Sequence, residues 1–252
     1  MSDLHHEVTG SGPPVVLLHS GFVDLRMWSA QVPALAQRFT VVGYDMRGYG
    51  RSPAFDGPYS PVDDLRALLD HLRLDRVALL GLSRGGRIAL DFTLTHPERV
   101  TALVLAASAL SGHRFEIETT PEVDARWEEA ERTNDVATMA EIDLEIWAPL
   151  GDEGGLRQMA LDNAPVNVAD EQVIEIDPPA KERLAEVRAP TLVITGDRDI
   201  APIDEIGEML AHGIPHARRA VLYGDHFPNI RSPDEFNRLV ADFLGTVLAD
   251  AV

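Results

Sequence analysis

The stretch Ala78-Leu79-Leu80-Gly81-Leu82-Ser83-Arg84-Gly85-Gly86-Arg87-Ile88-Ala89-Leu90 constrains this chain more than any other. It reads as an apolar strand, a Gly-x-Ser-x-Gly turn and the start of an apolar-periodic helix. A strand that passes at once into a helix forces the middle residue into a strained conformation, so its neighbours must lack bulk. Gly81 and Gly85 supply that room. The turn aims the Ser83 hydroxyl out of the strand end, above the unsatisfied N–H groups and positive dipole end of the helix. A serine so placed is a candidate nucleophile.

The segments around it repeat the same rhythm. Leu4 to Thr9 alternates polar and apolar residues as an edge strand does, and after the punctuation Gly10-Ser11-Gly12-Pro13-Pro14 the run Val15 to Leu18 reads as a buried strand. Met27 to Gln37 has helical spacing. Thr40 to Tyr44 is the next strand, and Pro61 to Leu72 a helix with Ser60 as its N-cap. Arg76 to Leu80 leads into the Ser83 turn, Ser83 to His96 is a helix stopped by Pro97, and Val100 to Ala106 is another buried strand. Strands that are nearly continuous apolar runs, separated by helices, predict a parallel sheet covered on both faces.

From Ser108 to Glu186 the alternation stops, and acidic helical stretches surround Trp127, Met139, Trp147 and Met159. Pro190 to Thr195 resumes the sheet, Ile203 to Leu210 is a short helix, Ala217 to Tyr223 is the last strand and Asp234 to Leu248 an amphipathic helix. The expected fold class is α/β: a mostly parallel twisted sheet with helices on both faces. Residues 1–107 and 187–252 form its core, and residues 108–186 a helical cap inserted over one sheet edge. A chain of 252 residues suits one domain with such an insertion.

Composition narrows the function classes. Twenty-two basic against 41 acidic side chains give a net charge of −19, which repels polyanions and makes nucleic acid an unexpected partner. The chain has no cysteine, so disulfides, thiolate metal sites and a cysteine nucleophile are excluded. No segment reaches the roughly 18 apolar residues that span a bilayer, and Met1 to Glu7 has no leader character. The expectation is a cytoplasmic protein without a membrane partner. Histidines and carboxylates do not fall at metal-ligand spacings, and no glycine-rich phosphate loop occurs, so neither a metal nor another cofactor is expected.

In a parallel sheet, functional loops lie beyond the carboxyl ends of the strands. Ser83 needs a base, and the base needs a carboxylate to hold its tautomer. His226, in Gly224-Asp225-His226-Phe227-Pro228-Asn229 after the last strand, is well placed as the base. Gly196-Asp197-Arg198-Asp199 after the preceding strand offers two carboxylates.

With His19-Ser20-Gly21, Asp45-Met46-Arg47-Gly48-Tyr49-Gly50-Arg51-Ser52, Gly81-Leu82-Ser83-Arg84-Gly85, Gly196 with Asp199 and Pro202, and Asp225-His226 in this order, the chain resembles the α/β-hydrolase fold family. The likeness covers nearly the whole chain outside the insertion. Within the serine hydrolases of that family it is similar to 3-oxoadipate enol-lactonases and to cofactor-free haloperoxidase/esterase relatives. The edge strand that opens the family's sheet is expected to be missing, because only one strand precedes Val15.

The resemblance selects Asp199, three residues after Gly196, as the acid, and leaves Asp197 as a turn residue. It implies oxyanion donors at the Arg84 N–H and in the loop after His19. There Ser20 replaces the usual glycine; counting from His19 puts the donor at Gly21, and aligning the glycines puts it at Phe22. The spacing from His19 to Trp28 favours Gly21. His19, Asp45, Arg47 and Ser52 are expected to brace the site. The Arg84 guanidinium is expected to pair with a cap acid or to meet a substrate carboxylate.

The implied activity is a serine hydrolase cleaving a carboxylic ester or lactone of a small, largely apolar molecule, with Phe22, Trp28, Trp127 and Trp147 as pocket walls. Enol-lactone hydrolysis, C–C bond hydrolysis of a diketone and a serine-based lyase use related machinery, and a ligand-binding receptor is the non-enzyme alternative. Haloalkane dehalogenases and epoxide hydrolases of this fold need aspartate where Ser83 stands. The oligomeric form is left open, with a homodimer among the options.

Overall fold

The computed structural model describes residues 3–54, 57–166 and 173–249. Seven strands, β1 His6–Gly10, β2 Pro14–Leu18, β3 Thr40–Tyr44, β4 Val77–Leu82, β5 Val100–Ala106, β6 Thr191–Gly196 and β7 Arg218–Leu222, form one sheet. Their order is β1-β3-β2-β4-β5-β6-β7. Only β1 runs antiparallel, on β3; the other five pairings are parallel. The residues of β4 and β6 are all buried, whereas β1 and β7 at the edges are partly exposed. Continuous apolar strands therefore occupy the centre, covered on both faces, and strands with polar positions take the edges. The connections from β2 to β3 and from β4 to β5 place the carboxyl ends of the parallel strands along one rim, where the loops discussed below collect.

The helices are α1 Gln31–Leu35, α2 Pro61–His71, α3 Arg84–Thr95, α4 Pro121–Thr133, α5 Val136–Trp147, α6 Leu156–Asn163, α7 Ala201–Gly213, α8 Pro228–Arg231 and α9 Pro233–Ala249. Local chemistry sets their ends. The Ser60 hydroxyl accepts the Asp63 N–H at the start of α2, with Pro61 in the first turn. Thr120 caps α4 on Val123, and Asp135 caps α5 on Thr138. Asn134, with φ +54°, turns the chain between α4 and α5. Nine of the twelve residues of α3 are buried, because it packs on β4 and β5 beneath the neighbouring loops.

One element departs from the spacing-based expectation. The stretch from Met27 to Gln37 is a 3₁₀ turn, Leu25–Trp28, followed by the short α1. Pro33 has no N–H for the Ser29 carbonyl, so a helix cannot run through. The Asp24 carboxylate instead caps the 3₁₀ turn on Arg26. Between β5 and β6 the described residues form α4, α5, α6 and short 3₁₀ turns, with Val173 making an isolated bridge to Tyr59.

Candidate active site

Ser83 stands between the last residue of β4 and the first of α3, with φ +54° and ψ −116°. Left-handed backbone at a residue with a side chain costs about 1–3 kcal/mol and persists only where its surroundings over-determine it. Here the Ser83 N–H donates to the Ala106 carbonyl at 3.0 Å, and its own carbonyl accepts from the N–H groups of Arg87 and Ala109 at 3.0 and 3.1 Å. A Cβ at position 81 would overlap the Gly85 carbonyl, and one at position 85 would overlap the carbonyls of Leu18 and His19. The two glycines let β4, α3 and the end of β2 close around the serine.

His226 lies in the loop after β7. Its Nδ1 is 2.9 Å from Asp199 Oδ2, and both side chains are 1% exposed. The other Asp199 oxygen accepts the Ile200 N–H at 2.8 Å, which fixes the carboxylate plane. An ionised carboxylate accepts only, so Nδ1 carries the proton and Nε2 is the basic nitrogen. Asp197 is elsewhere: its Oδ1 accepts the Gly224 N–H at 3.1 Å and closes the turn between the β6 and β7 loops.

Ser83 and His226 border one cavity of about 250 Å³, together with Ser20, Gly21, Phe22, Arg84, Arg87, Ala109, Phe115, Asp143, Trp147 and Ile203. Trp147, at the end of α5, lays its ring against the His226 imidazole with centroids 4.5 Å apart. Phe227 meets the same imidazole edge to face at 5.7 Å, and Phe22 meets Phe227 likewise. Aromatic rings thus hold His226 from two sides and keep water from its faces.

The loop after β2 is equally determined. His19 is fully buried; its Nδ1–H donates to the Ser20 carbonyl at 2.7 Å and its Nε2 accepts the Met46 N–H at 2.8 Å. Burial pushes its pKa down, which keeps the ring neutral. The Ser20 N–H is taken by Met27 Sδ at 3.3 Å, leaving Gly21 and Phe22 as the residues of this loop that can offer a backbone donor to the cavity. Phe22 itself has φ +48°, a second left-handed residue beside the serine. Asp45 accepts the N–H groups of Leu25 and Arg51, Ser52 donates to the Asp45 carbonyl, and Arg47 pairs with Asp64 at 2.7 Å. These groups brace the loop and do not border the Ser83 cavity.

The tryptophans expected as walls separate into three environments. Trp147 borders the Ser83 cavity. Trp127 borders an adjoining chamber and donates its Nε1–H to Glu131 at 2.9 Å. Trp28 requires a correction: it is wholly buried, packs on Phe236 of α9 at 6.4 Å, and borders a separate cleft of about 700 Å³ with Asp24, Arg26 and Asn163. The 3₁₀ turn carries its ring away from Ser83 and into the core. That cleft is the larger of the two, but neither the serine nor the histidine borders it.

The sequence reasoning missed an ion pair that ties this loop down. Asp225 and Arg231, with side chains 1% and 3% exposed, meet at 2.8 Å. Asp225 also accepts the N–H groups of Leu150 and Phe227, and Arg231 donates to the Gly151 carbonyl at 2.7 Å and pairs with Glu153. Burial pushes the Asp225 carboxyl up and the Arg231 guanidinium down, the desolvation that their contact offsets. The only signal was an aspartate beside the loop histidine with an arginine six residues later. Asp143 and Arg87, two further charges of the cavity, carried no sequence signal at all. Among the described residues no group of three or more histidine, aspartate or glutamate side chains is arranged to hold a metal ion, and no helix is long and apolar enough to cross a membrane.

Comparison with known proteins agrees with this geometry. The family described as alpha/beta hydrolase fold matches residues 13–136. A protein assigned in Rhizobium rhizogenes as the carbamate hydrolase RutD is 31% identical, over 96% of this chain and 97% of its own. The crystal structure of an enol-lactonase from Burkholderia xenovorans superposes with a TM-score of 0.79 at 30% identity, covering 96% of each chain. A thermophilic esterase from Thermogutta terrifontis superposes with a TM-score of 0.79 at 28% identity, covering 97% of this chain and 93% of that one. With a seven-stranded, mostly parallel sheet and a serine at the β4–α3 turn, this chain is an enzyme of the α/β-hydrolase fold family.

Proposed function

We propose that the protein is a serine hydrolase that cleaves a carboxylic ester or lactone through an acyl-enzyme intermediate. The observation that carries this reading is the buried Asp199–His226 contact of 2.9 Å in the wall of the cavity that Ser83 borders. In the proposed mechanism His226 Nε2 takes the Ser83 hydroxyl proton as the oxygen attacks the substrate carbonyl, and Asp199 stabilises the imidazolium. The N–H groups of Arg84 and Gly21 receive the oxyanion; loss of one such donor costs on the order of 3 kcal/mol. His226 then returns the proton to the leaving alkoxide, and water, activated by the same histidine, releases the acid. Each step uses a group already held in place, and none calls on a cofactor.

The segment 108–186 acts in this reading as a cap: Trp147 comes from it to roof His226, and Asp143 and Phe115 come from it to close the cavity. An ester or a lactone is preferred because the structural neighbours include an esterase and an enol-lactonase. Arg84 and Arg87 in the same cavity suit a substrate carboxylate, whereas Asp143 and the net charge of −19 disfavour one. A small neutral substrate, met in the cytoplasm without nucleic acid or membrane, is consistent with that charge and with the absence of cysteine.

The test is covalent. A fluorophosphonate probe is expected to label wild-type protein at Ser83, located by peptide mass mapping, and p-nitrophenyl acetate is expected to be hydrolysed. Labelling elsewhere, or hydrolysis that survives Ser83→Ala, refutes the mechanism.

A further inference from the structure

In the loop after β2, the fold accounts for every polar group of Ser20 but one. Ser20 is 1% exposed and borders the Ser83 cavity beside Gly21 and Phe22. Its carbonyl accepts the His19 Nδ1–H at 2.7 Å, and its N–H donates to Met27 Sδ at 3.3 Å. Its hydroxyl has no hydrogen-bond partner in the protein. Burying a hydroxyl unpaired costs stability, and the large majority of buried side-chain polar atoms in folded proteins are paired. Alanine here would keep both backbone bonds and remove that cost, so packing gives no reason for a serine. A partner that arrives with the substrate does.

We propose that the Ser20 hydroxyl is a third oxyanion donor, acting beside the N–H groups of Arg84 and Gly21; the inference rests on the serine-hydrolase reading above. Covalent geometry supports it. In the trans peptide between Ser20 and Gly21, the Ser20 Cα and the Gly21 N–H lie on the same side of the C–N bond. The carbonyl that His19 holds lies on the other side. An oxygen that accepts the Gly21 N–H therefore sits on the Ser20 side-chain side of the peptide, where a hydroxyl turning about Cα–Cβ can meet it. Having no acceptor in the free protein, Ser20 breaks no protein hydrogen bond when the oxyanion forms. Its proton is shared in a hydrogen bond and not transferred; Ser83 remains the nucleophile and His226 the proton carrier. Acylation and deacylation both pass through a tetrahedral intermediate with its negative oxygen in the same place, so one hydroxyl serves both.

The experiment compares wild type with Ser20→Ala and Ser20→Gly, the glycine controlling for any change at Cβ. Active enzyme is counted by fluorophosphonate labelling of Ser83 run to completion, so that unfolded protein is left out of each rate. kcat and KM are measured for p-nitrophenyl acetate. Inhibition constants are measured for 1,1,1-trifluoro-2-butanone, whose hemiketal with Ser83 puts an oxyanion in the same place. Both variants are expected to lose at least about tenfold in kcat, with KM changed by less than about twofold, and to bind the ketone more weakly by a similar factor. The melting temperature of Ser20→Ala is expected to equal or exceed that of wild type, because an unpaired hydroxyl is removed; a hydroxyl that only supports the loop would lower it. A smaller loss of kcat, a loss that ketone affinity does not follow, or a lowered melting temperature in Ser20→Ala overturns the Ser20 donor, and labelling at Ser83 then leaves the hydrolase reading standing. Wild-type protein that is neither labelled at Ser83 nor active on the ester overturns both.

Discussion

Asp91, in the middle of α3, is the group whose protonation should govern stability at mildly acidic pH. Its side chain is 5% exposed within the residue, one oxygen accepts the Ser111 hydroxyl at 2.5 Å, and the other has no partner. Burial pushes its pKa up from 3.8 to about 6; the Ser111 hydroxyl and the charges of Arg87 and Arg183 pull the other way, and Glu175 adds to the rise. Because the folded-state value lies above the unfolded one, the fold favours the protonated form. That contribution is complete below pH 3.8 and is lost as the pH rises through about 6. The full difference is about 3 kcal/mol, and the part falling between pH 4.5 and 7.5 is about 2 kcal/mol. Asp91→Asn keeps an acceptor for Ser111 but does not titrate. The stability of this variant relative to wild type is therefore expected to rise by about 2 kcal/mol from pH 4.5 to 7.5 at constant ionic strength. Urea unfolding followed by tryptophan fluorescence measures both curves, and the double difference cancels every other titrating group. Wild-type and Asp91→Asn curves that run parallel across this interval would refute the argument. The site also joins α3 to the start of the cap segment, where the Ser111 carbonyl receives the Lys181 N–H at 3.0 Å, so the change should be felt where the chain leaves and re-enters the sheet.

Three further outcomes are expected. Asp199→Asn should lower kcat for p-nitrophenyl acetate by about 10³- to 10⁴-fold, because the amide no longer holds the Nδ1–H tautomer of His226; Asp197→Asn should leave it nearly unchanged, and the opposite ranking would move the acid to Asp197. Arg231→Met should destabilise the protein by about 3–5 kcal/mol, since Asp225 is left buried without its partner, and Asp225→Asn added to it should recover part of the loss in thermal unfolding; a single variant as stable as wild type would show that the pair is dispensable. Gly85→Ala should cost more than about 2 kcal/mol or prevent folding, because the new methyl overlaps the carbonyls of Leu18 and His19, and an unchanged melting temperature would contradict the close packing of β2 on the α3 start.

Much of this architecture was legible along the chain because it depends on local rules. Apolar runs of five to seven residues became β2, β4, β5 and β6, and Ser60 and Pro61 marked the start of α2 as side-chain capping requires. The two glycines around Ser83 announced a sharp turn, because only residues without a Cβ fit there. The choice of Asp199 over Asp197 came from the family resemblance and not from a local rule; the structure has Asp199, and not Asp197, against His226. Spacing failed where a single residue interrupted a periodic pattern, as Pro33 did in the stretch after Met27.

What tertiary structure alone decided were meetings between side chains far apart in sequence. Trp28 and Trp147 are the same residue type in similarly apolar surroundings, yet one is wedged against Phe236 and the other covers His226. Arg231 reaches Gly151 and Glu153 across 80 and 78 residues, and Phe22 meets Trp127, Met139 and Ala164 around one chamber. The sequence by itself determined the sheet strands and the serine turn, since those follow from backbone sterics, capping and periodicity within a few residues; the acid and the histidine were named by the family resemblance. The walls of the cavity, and with them the substrate it can hold, were decided only when the segment between β5 and β6 packed over the strand ends, because which side chains share a space depends on how whole elements pack.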